Sequence, residues 1–245
     1  MSNDNMEFVF FDDIEDNIAF SYIINEKGKF VPFKTPKYNL FNGMYYPFIE
    51  YEEEMKALNQ YCYEVAQIVK IRYNSSLDDL EKYKNLDSYY FWGKEFTQYE
   101  MVMSCKHEIY MWENIVWHSV CHIVSLLYSF LERALKRLWI DVFKPNAIGE
   151  NKHKKGIAKI YYYIECVFNM SIDDFGEEYC ELYNQLEIIR KYRNEYIHGN
   201  FEYNDINNDY EEIKVFPPFK LIEFLNTITE VLDMVEWQYS IIKDY

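Results

Sequence analysis

The run Arg190-Lys191-Tyr192-Arg193-Asn194-Glu195-Tyr196-Ile197-His198-Gly199-Asn200 sets a cation, a carboxamide and an imidazole within about one and a half helical turns. No other stretch of the chain places residue types able to do chemistry at so usable a spacing. Each helical residue advances by about 100°, so Asn194 and His198 share a face and Arg193 lies at its edge. Gly199 is the residue expected where a helix leaves through a left-handed turn, which puts His198 on the last turn. There the negative end of the helix dipole favours the protonated imidazole. A histidine with a reference pKa of about 6.5 can then give or take a proton near neutral pH, beside a guanidinium able to stabilise developing negative charge.

Arg193-Asn194-Glu195-Tyr196-Ile197-His198 resembles the arginine, polar residue, short spacer and histidine motif of the HEPN superfamily, the higher eukaryote and prokaryote nucleotide-binding domains. The resemblance covers roughly the second half of the chain. Many members of that family are metal-independent endoribonucleases of bacterial toxin and anti-phage systems. It implies an RNA substrate and a homodimer whose two motif helices face one cleft, and a product ending in a 2′,3′-cyclic phosphate. In that scheme His198 moves the proton, Arg193 stabilises the phosphorane and Asn194 orients the imidazole or donates to a phosphate oxygen. Arg190 and Lys191 would add phosphate contacts. Tyr192, Tyr196 and Tyr203 are either base-stacking rings or, the safer assignment among 25 tyrosines, packing residues. Glu132 either orients Arg193 through a bidentate pair or marks where its helix meets solvent. An antitoxin or activating protein is a further expected partner, and no cofactor is implied. The bland alternative has His198 on the last carbonyls of its helix and Arg193 in a surface ion pair. At the level of function, the alternative is a catalytically silent HEPN domain that binds a protein or a nucleotide.

The elements expected to position these groups are helical. Seven glycines and six prolines in 245 residues argue against a turn-rich β fold, and 49% apolar residues argue against disorder. The fold class read from the chain is all-α, a HEPN-like bundle over residues 99–245. An N-terminal region, 1–98, would hold a small β or irregular cap and further helices. The aromatic runs Phe8-Val9-Phe10-Phe11 and Phe20-Ser21-Tyr22-Ile23-Ile24, with a turn signal at Asn25 to Lys29, read as a small β-hairpin or an irregular cap. From about Glu50 a helical period appears, with Met55, Leu58, Tyr61, Cys62, Val65, Ile68 and Val69 on one face. A second helix is expected from Ser76, as N-cap, to about Tyr90. One long helix, or two meeting near His107, spans Tyr99 to Trp139; its second half is apolar nearly all round, which suits a bundle centre or an oligomer interface. Helices over about 156–170, 177–199 and 217–243 would complete the bundle, with a loop at Asn204 to Asp209.

A formal charge of -16 opposes binding to a polyanion. Between Arg133 and Lys159, however, eight cations (Arg133, Lys136, Arg137, Lys144, Lys152, Lys154, Lys155 and Lys159) stand against Asp141 and Glu150. This is either a local basic patch or solvated helix ends with a lysine-rich loop. Five scattered cysteines, Cys62, Cys105, Cys121, Cys166 and Cys180, read as reduced thiols of a cytoplasmic protein. The acidic N-terminus has no signal-peptide pattern, and no uncharged apolar run of bilayer length is seen, so no membrane partner is expected. His118 and His122 are i and i+4, with Cys121 beside them and Cys105 and His107 upstream. They lack the glutamate of a zinc-hydrolase helix and read as buried, hydrogen-bonded histidines rather than metal ligands.

Overall fold

The structure, a computed structural model, describes residues 9–11, 18–24, 30–36, 43–142, 177–199, 203–206, 209–212 and 215–243. The expected helix over 156–170 and Cys166 lie outside them. The fold is all-α with small antiparallel hairpins. The N-terminal cap is a 3-10 turn, Val9–Phe11, and strands β1 (Ile18–Ile24) and β2 (Phe30–Pro36), paired from Ile18 opposite Pro36 to Ile24 opposite Phe30.

Helix α1 runs Phe48–Lys84, with Glu50 in its first turn and Lys82 and Lys84 in its last, as the dipole favours. The expected break at Ser76 does not occur. The Ser76 hydroxyl donates back to the Arg72 carbonyl at 3.1 Å, the side chain is buried, and the helix passes through it. Asn85 ends the helix, its amide donating to the Glu81 carbonyl at 2.8 Å. The segment expected to be helical up to Tyr90 is instead the end of α1 followed by a hairpin. Its strands are β3 (Ser88–Phe91) and β4 (Lys94–Thr97), joined by Trp92 (φ 49°) and Gly93 (φ 75°). Two successive left-handed residues give the primed turn whose twist matches the strands.

Helix α2 is unbroken over Gln98–Val142. A reciprocal cap starts it: Glu100 Oε2 accepts from the Thr97 amide at 2.8 Å while Thr97 Oγ1 accepts from the Glu100 amide at 3.3 Å. The Thr97 amide and the Thr97 hydroxyl, which also donates to Oε2 at 2.8 Å, hold the Glu100 carboxyl below its usual range. Helix α3 spans Glu177–His198 and α4 spans Leu221–Lys243. The stretch expected to be a loop at Asn204 to Asp209 belongs instead to a hairpin of β5 (Tyr203–Ile206) and β6 (Asp209–Glu212), with Ile206 opposite Asp209. Its Asn and Asp residues mark a turn between short strands.

One core joins the four described helices. Leu127, Leu131 and Val124 of α2 are fully buried with Leu186 of α3 and Phe224, Leu225 and Leu232 of α4, so the apolar half of α2 is the bundle centre. Tyr51 of α1 meets Phe130 edge-on at 6.5 Å and donates to the Ala134 carbonyl at 3.3 Å. On α1 the expected face is mixed: Met55, Cys62 and Val69 are buried, whereas Tyr61 and Ile68 are exposed. Burial pushes the Cys62 thiol up to about 12. Glu236 of α4 is buried and accepts from the amides of Met44 (2.7 Å) and Tyr45 (2.8 Å), tying the entry of α1 to the end of α4.

By length and composition alone, α2 contains a window apolar enough to cross a membrane. The window is 56% buried inside the bundle, as a central helix of a helical core also would be.

Candidate functional site

Helix α3 presents three faces, set by its 3.6-residue repeat. Leu186, Ile189 and Tyr192 form the buried one. The Tyr192 hydroxyl donates to the Val215 carbonyl at 2.9 Å and lies 3.4 Å from Cys121 Sγ, and Trp117 packs edge-on against Tyr196 at 5.8 Å. Residue numbers rise on α2 as they fall on α3 across these contacts, so the two helices are antiparallel. Tyr192 and Tyr196 are therefore packing residues, and the side chain of Tyr203 lies outside the described residues.

The second face carries a charge ladder. Glu187 Oε2 accepts from Arg190 Nη2 at 2.7 Å and from Nε at 3.0 Å, which raises the Arg190 pKa. One rung further, Arg193 lays its guanidinium on the ring of Tyr128, 5.2 Å from the centroid, and donates from Nη1 to Asn194 Oδ1 at 3.3 Å. Cation–π attraction is strong where water is excluded, and Tyr128 is 0% exposed. Both Arg193 Nε and the Tyr128 hydroxyl are buried without a hydrogen-bond partner among the described residues. Burial, with the negative charge of Glu132 second, pushes the Tyr128 phenol well above its usual range; Arg193 and Arg190 oppose the shift. Glu132 is half-buried and makes no ion pair with Arg193 among the described residues, so the expected bidentate pair is not formed; its charge acts on Tyr128.

The third face is wet. His198 ends α3 exposed to solvent, followed by Gly199 at φ 63°, whose amide donates to the Tyr196 carbonyl at 3.3 Å. Five positions from Arg193, it lies about 140° round the helix. The fold thus sets Arg193 on Tyr128 of α2 with Asn194 hydrogen-bonded to it, while His198, on the same side of the helix as Asn194, points away from Arg193. Lys191 is exposed.

Other expected groups fall out differently. Arg133 pairs with Glu54, and Arg137 with Glu50 at 2.6 Å, so two cations of the expected basic patch are matched by acids of α1. Lys136 is exposed, whereas Lys144, Lys152, Lys154, Lys155 and Lys159 lie outside the described residues. His107, His118 and His122 are exposed, not buried as the apolar surroundings suggested. His118 rests on Trp117 at 4.7 Å and His122 lies 6.3 Å from the Tyr61 ring. A run that is apolar nearly all round still keeps one narrow wet stripe, and the histidines occupy it. Among the described residues no three His, Cys, Asp or Glu groups converge as metal ligands. Cys62, Cys105, Cys121 and Cys180 are free thiols.

Tyr128 was not singled out by the sequence. The one signal was its place four residues before Glu132 on the face that meets α3. Comparison with known proteins returns no matching family model, no matching curated protein and no matching solved structure.

Proposed function

We infer that this chain is a metal-independent endoribonuclease of HEPN type, acting as a homodimer in a prokaryotic toxin–antitoxin or anti-phage setting. The observation that carries the reading is the motif's place: an exposed imidazole on the final turn of α3 with Arg193 and Asn194 hydrogen-bonded one turn earlier. In the reaction, the ribose 2′-hydroxyl loses its proton and attacks the adjacent phosphorus. The bond to the 5′-oxygen breaks and that oxygen takes a proton. The products are a 2′,3′-cyclic phosphate and a free 5′-hydroxyl. One imidazole cannot be acid and base at the same instant, and the divergence of His198 from Arg193 within a protomer favours a cleft shared by two copies.

Purified protein incubated with mixed cellular RNA in EDTA tests this. Cleavage leaving cyclic phosphate ends, lost in both His198→Ala and Arg193→Ala, is the expected outcome. No cleavage by a folded dimer would overturn it. The second reading, a silent HEPN domain that binds a protein or nucleotide, is favoured by the inward guanidinium on Tyr128 and by the charge of -16.

A further inference from the structure

The core shared with α3 and α4 stops at Val69 on α1 and at Val116 on α2. Beyond those points only Ser76, Met101 and Cys105 are buried among the described residues. The remaining fifteen residues of α1, 70–84, make an arm of about 22 Å with the start of α2. The β3–β4 hairpin is its tip.

That tip contradicts its own local chemistry. The first position of a primed turn favours Asn, Asp or Gly, since a side chain in the left-handed region meets its own backbone. Here it is Trp92, at φ 49° and 92% exposed, the largest side chain where the smallest would serve the fold better. Behind it runs an unbroken line of rings. Phe91 lies 6.2 Å from Trp92, Tyr89 6.4 Å from Phe91 with ring planes 21° apart, and Tyr83 5.6 Å from Tyr89. Tyr89 and Phe91 are two apart on a strand and share a face. Their ring planes differ by only 21°, so the two rings offer a flat cation faces of nearly one orientation. A cation already uses this ledge: Lys82 Nζ sits 4.9 Å from the Tyr83 centroid and 5.8 Å from that of Tyr89.

Charge narrows the occupant further. Between Asp78 and Glu100, Asp78, Asp79, Glu81, Asp87, Glu95 and Glu100 outnumber Lys82, Lys84 and Lys94, and Lys84 is spent on Glu81 at 2.5 Å. Nucleic acid needs cations for its phosphates, and an anionic membrane surface needs the same; the tip carries twice as many acids as lysines. Arginine suits both features, because its guanidinium stacks flat on rings and pairs with carboxylates.

We propose that the Tyr89-Phe91-Trp92 ledge at the tip of the α1–α2 arm is a docking surface for an arginine-bearing basic segment of a partner protein. The site stands independently of the reading of α3. Full-length protein is titrated against fluorescein-labelled octaarginine, octalysine and single-stranded oligouridine at physiological salt, followed by anisotropy. Octaarginine should bind roughly tenfold more tightly than octalysine, a ratio that cancels the general attraction to an acidic chain. Trp92→Asn and Phe91→Thr should each erase the ratio, with the Trp92→Asn thermal midpoint unchanged or raised. The proposal is overturned by a ratio near one in the wild type, by a ratio that survives both substitutions, or by tip-dependent binding of oligouridine in place of octaarginine.

Discussion

Tyr128→Phe should stabilise this protein. The substitution removes one oxygen that is fully buried and has no partner among the described residues, and leaves the ring on which Arg193 rests 5.2 Å away. An unsatisfied buried polar group is worth about 1–3 kcal/mol of lost solvation, which the phenyl ring regains. Phenylalanine holds a cation slightly less well than tyrosine, against a cation–π attraction of about 0.5–2 kcal/mol in all. The net expectation is a gain of about 1 kcal/mol, or a thermal midpoint about 2–4 °C higher for a chain of this size. A phenol is already neutral at ordinary pH, and burial and Glu132 push this one's pKa further up, so the gain should not vary across the neutral range. Urea unfolding followed by circular dichroism measures it, with Tyr128→Leu as the control that deletes the ring and should be destabilising. A loss of about 1 kcal/mol or more in Tyr128→Phe would refute the reasoning, because it would mean that the hydroxyl has a partner.

Glu236→Ala should cost about 3 kcal/mol in the same unfolding assay, since it removes a charged acceptor from the amides of Met44 and Tyr45. Burial raises the Glu236 carboxyl above its usual value, so the native state holds that proton more tightly than the unfolded chain. Its contribution therefore falls as pH climbs from the ordinary carboxylate range through the raised value, and a Glu236→Gln variant should show a flatter stability–pH curve there. Gly199→Ala should cost about 1 kcal/mol by denaturant unfolding from left-handed strain alone, because a methyl group there would meet nothing within 4 Å. A loss several times larger would show that the exit from α3 is packed and not merely turned.

The features readable without coordinates are those set by near neighbours. The exit of α3 at Gly199 needed only a glycine's freedom at φ 63°. Of the first hairpin only the strand holding Phe20 to Ile24 and the turn signal after it were legible; its partner is Phe30–Pro36, and Val9–Phe11, the other aromatic run, is a 3-10 turn. The extent of α2 followed from a helical period with few breakers, though not that it is one helix and not two meeting near His107. Ser76 misled because a serine that caps a helix can equally well return its hydroxyl to the preceding turn, and the choice depends on α2 lying alongside. The β3–β4 turn was missed because Trp-Gly has the glycine but not the Asn, Asp or Gly that usually precedes it.

By itself, then, the chain determined an all-α fold, the helix that carries Arg193, Asn194 and His198, and the position of His198 at that helix's end. These follow from periodicity and backbone preference, which act over one or two turns. Only the tertiary structure decided that Arg193 folds inward onto Tyr128 while His198 stays in water, that Arg190 is held by Glu187, and that Trp92 stands at the tip of an arm. Each of these depends on which face of a helix another helix covers, and residues 65 positions apart, such as Tyr128 and Arg193, meet only once the bundle has closed.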